Sequence, residues 1–166
     1  MVHSKQTLFY YFLLSLILGS GLHFLYTLMP SPFTAVIAPI SESIWEHTKI
    51  IYFPYLLLAL LYNRRHSPST IGSFLLTLPM MCFSMLTIGS IYHIVLDFHA
   101  LWFDLLLFFL VMAFGFWFPA HCSIPSQTPL WYLGIALTIL LGILIFVFTL
   151  FPPTPLLFQD LSSVSR

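Results

Sequence analysis

Ser41-Glu42-Ser43-Ile44-Trp45-Glu46-His47-Thr48-Lys49 runs without a break into Ile50-Ile51-Tyr52-Phe53-Pro54-Tyr55-Leu56-Leu57-Leu58-Ala59. The first half holds two of the chain's five acidic residues, one of its five basic residues and one of its seven histidines. The second half is a membrane-grade apolar run. Charged side chains at membrane depth are costly to keep, so a cluster of them beside a hydrophobic span marks a candidate functional site.

Working outward, the rest of the chain is as apolar as that second half. Hydrophobic residues make up 60% and charged residues 6%, against about 25% charged in ordinary soluble domains. Mean hydropathy is +1.00. The inventory is too poor in charge to build a water-exposed surface, so the expected class is an all-α integral membrane bundle, formed as one domain from 166 residues. Net charge is zero at pH 7, which removes the electrostatic case for nucleic acid; the expected surroundings are the lipid bilayer. Cys82 and Cys122 fit no redox or metal spacing.

A span of about 20 apolar residues crosses a hydrocarbon core. Five are expected, at about 8–28, 44–62, 71–94, 101–118 and 130–151. The first is longer than the roughly 7–15 residues of a signal-peptide core and lacks a cleavage pattern, so it reads as a retained helix. Pro79 is expected to bend the third span, leaving backbone groups for neighbouring helices to satisfy. Between spans three and four no glycine or proline marks a turn, and Asp97 is the expected N-cap of the fourth helix.

Lys5, Arg64 and Arg65 place the amino terminus on the cytoplasmic side by the positive-inside bias, with Lys49 and Arg166 outside. That topology gathers all five carboxylates and His23, His47, His93 and His99 at the outer end. His3, His66 and His121 fall opposite, without acidic company.

Imidazole and carboxylate suit zinc and related divalent ions, and catalytic sites commonly use three such ligands plus water. His23, His47, His93 and Asp97 are the expected metal ligands, with Glu46 and Asp104 in acid–base roles. Glu42, Lys49 and His99 complete the polar cluster. Glu42, Glu46 and Lys49 are spaced to share one helix face. No H-E-x-x-H, G-x-S-x-G or paired C-x-x-C is present, so the metal reading rests on topology. Bland roles compete: Ser43-Ile44-Trp45-Glu46 fits a capping box, and Trp45, Tyr52, Tyr92 and Trp102 fit an interfacial aromatic belt. Capping leaves His23 and Asp104 unexplained, since both lie inside apolar helices.

Gly21-Leu22-His23-Phe24-Leu25-Tyr26, the S-E-S-I-W-E-H-T-K stretch, Phe53-Pro54 and the ending Phe151-Pro152-Pro153-Thr154-Pro155-Leu156-Leu157-Phe158-Gln159-Asp160 together carry a resemblance. They resemble an uncharacterised family of small bacterial multi-pass membrane proteins, domain of unknown function family 6512. Ser41 stands where the family has asparagine, and the family's glycine-containing ending after Asp160 is replaced by Leu161-Ser162-Ser163-Val164-Ser165-Arg166. The resemblance implies a bacterial plasma-membrane location and brings no activity with it. Three functions fit the residues: a metal-dependent hydrolase acting on a lipid or envelope substrate, a small transporter or proton or cation sensor, and a non-catalytic subunit docking a membrane partner.

Overall fold

The computed structural model describes residues 5–66 and 70–160. His3, Arg166 and the substituted 161–166 ending lie outside the described residues. Five long helices build the bundle: α1 (Lys5–Leu28), α3 (Thr48–His66), α4 (Ile71–Ser90), α5 (Leu101–His121) and α6 (Pro129–Leu150). A short α2 (Pro32–Ile37) lies between α1 and α3, and the described residues contain no strand. α4 packs on α3, α5 and α6, while α1 packs on α3 and α5.

Four helices are long and apolar enough to cross a membrane: α1, α4 with its extension to Val95, α5 and α6. The molecule is thus compatible with a membrane protein. The second expected span, now α3, is not among these four; it carries Lys49, Arg64 and Arg65 and buries Ile51, Tyr55, Leu58, Ala59 and Tyr62 almost completely. It begins at Thr48 rather than Ile44, because residues 44–47 form a tight turn. Glu42 therefore lies ahead of the helix and does not share a helical face with Glu46 and Lys49. Trp45 and Tyr52, expected as belt aromatics, are buried in the bundle at 5% and 6% exposure.

Prolines within the helices explain several interhelical bonds. Each one deprives the carbonyl four residues earlier of its helical N–H. Pro79 frees Leu75, whose carbonyl accepts from Thr138 Oγ1 of α6 at 2.8 Å. Pro119 does not end α5 as a sequence break would; it frees Gly115, whose carbonyl accepts from the fully buried Tyr55 hydroxyl of α3 at 2.5 Å. Neighbouring helices thus supply what proline removes, the arrangement that a water-free environment requires.

Close approach at glycine does the rest. A methyl group on Gly134 of α6 would stand 2.8 Å from the Leu76 backbone nitrogen, and one on Gly19 of α1 would stand 2.7 Å from the Ile50 carbonyl oxygen of α3. Small residues at such crossings let apolar helices pack backbone to backbone. Towards one end the core is aromatic, with Tyr55 edge-on to Phe116 at 5.2 Å and Tyr62 beside Phe74 at 5.5 Å. Towards the other end the same helices diverge around a cavity.

Candidate functional site

That cavity has a volume of about 490 Å³, within the roughly 300–1,000 Å³ usual for small-molecule sites. Its titratable lining is His23, Glu42, His47, His93, His99 and Asp104. α1 supplies His23, the loop and turn before α3 supply Glu42 and His47, and the end of α4 and the start of α5 supply the others.

Local chemistry builds the loop. Ser31 caps α2 in a capping box with Thr34, and Pro32 opens that helix. Ser43 Oγ then accepts from the Glu46 backbone N–H at 3.2 Å, half of the expected capping box. The Glu46 carboxylate does not turn back on Ser43. Instead it accepts from the Ile40 N–H at 2.9 Å and from Lys49 Nζ at 2.5 Å. Lys49, fully buried, also donates to the carbonyls of Ala35 and Ala38. Glu46 and Lys49 therefore clamp the loop from beneath and do not line the cavity. Trp45 closes it from the other side, its ring packing on Phe148 and Phe158 at 5.3 and 5.2 Å while its backbone N–H donates to the Leu157 carbonyl.

Held in this way, Glu42 sits between two imidazoles. Its oxygens lie 3.3 Å from His47 Nε2 and 3.8 Å from His23 Nε2, and one ligand atom from each of the three lies within 4.8 Å of the others. Ligands about 2.0–2.2 Å from a tetrahedral ion stand about 3.3 Å apart, so a small contraction would close the group on a metal. His47 Nδ1 donates to the Ser43 carbonyl at 2.7 Å, which fixes the tautomer and aims Nε2 at the carboxylate, the support that metal-binding histidines usually have. The nearby His23 Nδ1 is buried without a hydrogen-bond partner. Burial opposes charge on His47, but the bond from Glu42, the Ser43 carbonyl and the charges of Glu42 and Asp104 outweigh it and raise its pKa. The bond to His47 holds Glu42 below the usual carboxylate range, against burial and the repulsion of Asp160.

Across the cavity lies a second polar chain. α4 ends in a π-helical segment, Ile91–Val95, a wide turn that recurs at functional sites. It buries His93 and places His93 Nε2 2.7 Å from Asp104 Oδ1 of α5. His93 Nδ1 faces His99 Nδ1 at 3.4 Å, and His99 Nε2 lies 3.3 Å from Asp97 Oδ1. His99 and Asp97 are half-exposed while His93 is 8% exposed, so the chain leads from the protein surface to the cavity wall. Two expectations change here. Asp97 takes φ 56°, a left-handed turn that ends the helix, and Ala100 takes the N-cap position without a side-chain bond. His93 meets Asp104 of α5 and not Asp97, four residues further on, because the π segment departs from the α-helical register.

Of the expected ligands, the structure brings His23 and His47 together and adds Glu42 to them. It puts His93 on the opposite wall and Asp97 outside the cavity lining. The Ser43 carbonyl and the π turn were missed; neither leaves a side-chain signature in sequence.

The structure thus defines a membrane-compatible helical bundle with a histidine–carboxylate cavity at one end. The chain belongs to a family of unknown function, DUF6512, whose model matches residues 2–165. Comparison with curated proteins and with solved structures finds no match.

Proposed function

We propose that the protein is a metal-dependent hydrolase of a bacterial plasma membrane, acting near the outer leaflet on a lipid or envelope substrate. The observation that carries this reading is the convergence of two distinct polar groups on one cavity: His23–Glu42–His47 on one wall and His93–Asp104 on the other. The first has the donor set of a catalytic zinc site, two imidazoles and a carboxylate. Bound there, a divalent ion such as zinc would polarise the scissile group and acidify a water.

His93 takes the acid–base role. Asp104 fixes its ring through Nε2, and Nδ1 is linked through His99 towards the surface, so a proton gained or lost at His93 has a route out. Glu46, fully engaged with Lys49 and Ile40, serves as the loop's anchor instead of the base.

The test is elemental analysis of detergent-purified protein, with His23→Ala, His47→Ala and His93→Ala beside the natural sequence. Near-stoichiometric metal is expected in the natural protein and in His93→Ala, and little in the other two. A protein that neither copurifies with a divalent metal nor binds one on titration overturns the hydrolase reading. Those same groups would then serve proton or cation sensing, a reading favoured by the Asp104–His93–His99–Asp97 chain.

A further inference from the structure

The cavity's buried floor and exposed rim come from different places. Ile44, Ile50, Met85, Leu107 and Phe108 form the floor and are each no more than 8% exposed. The exposed rim is built from two i, i+4 pairs, Ser20 and Phe24 on α1 and Leu101 and Leu105 on α5, together with Glu42 and His99. Phe24, Leu101 and Leu105 are 60%, 72% and 60% exposed.

Below this rim α1 and α5 pack together. There Phe12 meets Phe109 and Phe116 at ring distances of 5.5 and 6.3 Å, and Gly19 lies against Phe108. Above that seam Ser20, His23 and Phe24 of α1 and Leu101, Asp104 and Leu105 of α5 all line the cavity. Both helices are long and apolar enough to cross a membrane, so an opening between them faces hydrocarbon. The histidines and carboxylates lie level with that rim, His23 between Ser20 and Phe24 and Asp104 between Leu101 and Leu105. A buried apolar floor beneath a polar mouth matches an amphiphile that enters chain-first from the side.

We infer that the gap between the outer halves of α1 and α5 is a lateral portal, through which the hydrocarbon chain of a membrane lipid reaches the cavity floor with its polar linkage at the histidine–carboxylate end. The lining contains neither Lys nor Arg, so a multiply charged phosphate head would find no fixed cation, and an uncharged ester or amide linkage fits best. This rests on the hydrolase reading for its chemistry, but lipid entry is measured without metal or turnover.

The probe is an alkylglycerol ether, which cannot be hydrolysed, with a diazirine in its chain. It is carried at low mole fraction in phosphatidylcholine nanodiscs containing the full chain. After illumination, mass spectrometry reads the labelled residues. Labelling of Met85, Phe108 or Ile50 is expected, together with bulk-lipid labelling of exposed Ile139 and Ile143 on α6 as the internal reference. Ser20→Trp with Leu105→Trp should lower floor labelling about tenfold relative to α6, what excluding two methylenes amounts to. Leu101→Ala, which widens the mouth at an exposed position, should raise it. No floor labelling in the natural protein, or floor labelling that ignores both variants, overturns the portal. Metal content measured on the same samples separates the two readings: metal without floor labelling leaves a hydrolase fed from water, and floor labelling without metal leaves the portal standing alone.

Discussion

Replacing Glu46 by glutamine should unfold the site before it touches any chemistry. Lys49 has no exposed surface, and its ammonium protons are directed at Glu46 Oε2, Ala35 O and Ala38 O at 2.5, 2.8 and 3.4 Å. Glutamine keeps the shape and removes the one counter-charge that Lys49 meets among the described residues. Stripping one partner from a buried ion pair costs about 3–5 kcal/mol. For a chain of this size each kcal/mol is worth roughly 2–4 °C in Tm, so Glu46→Gln should lower the unfolding midpoint by roughly 6–20 °C. Lys49→Met should fall similarly, because it leaves a carboxylate bonded only to the Ile40 N–H. The double variant, with neither charge, should lose less than the two singles summed. Thermal unfolding of the purified protein in detergent measures all three. The reasoning is refuted if Glu46→Gln unfolds with the natural protein, and an activity lost at unchanged Tm would return Glu46 to the general-base role.

Three further outcomes follow from the geometry. In the metal-free protein, Glu42's contribution to stability should be present above pH 4.5 and lost as pH falls through its lowered folded pKa, while His47's is complete below pH 6.5 and lost as pH rises through its raised one. The pair therefore stabilises most between those two reference values; a Tm profile over pH about 4 to 8 should show a hump there that Glu42→Gln flattens. Metal retention should run the other way at the alkaline side, tightening as the competing proton leaves His47. Thr138→Val should cost about 1 kcal/mol by orphaning the Leu75 carbonyl, measured by denaturant or thermal unfolding. Adding Pro79→Ala gives that carbonyl a helical N–H again, so the double variant should recover part of the loss; simple additivity would count against the compensation.

Much of the fold is legible in the sequence because it rests on runs of apolar residues, which length and composition report directly. The stretches that became α1, α4, α5 and α6 are of this kind. α3 is harder, since its charges sit at its two ends and its burial comes from neighbours that the sequence does not locate. Pro79 was readable as a demand on a neighbouring helix, whereas the donor that answers it, Thr138, lies 63 residues from the carbonyl it meets. The site divides similarly. His23, His47, His93 and Asp104 stand out because imidazole and carboxylate are conspicuous in apolar helices. Glu42 does not, because a glutamate ahead of a helix is ordinary, and only the fold sets it between His23 and His47. The surroundings of Asp97 are hard to read for a physical reason: period-four spacing from His93 brings two side chains together only in an α-helix, and the π turn at Ile91–Val95 departs from that period.

The contact between Trp45 and the segment after α6 bears on how the protein is made. The ribosome delivers α1, the loop with Glu42 and His47, and the helices in order, but the Leu157 carbonyl and Phe158 ring that fasten Trp45 emerge after all of them. A nascent chain stopped at α6 has every candidate ligand and lacks the latch that holds two of them. Biogenesis thus keeps the Glu42–His47 loop unlatched until the last described stretch of the polypeptide has been threaded into place, so that a truncated product would be inserted yet left with an unfinished cavity.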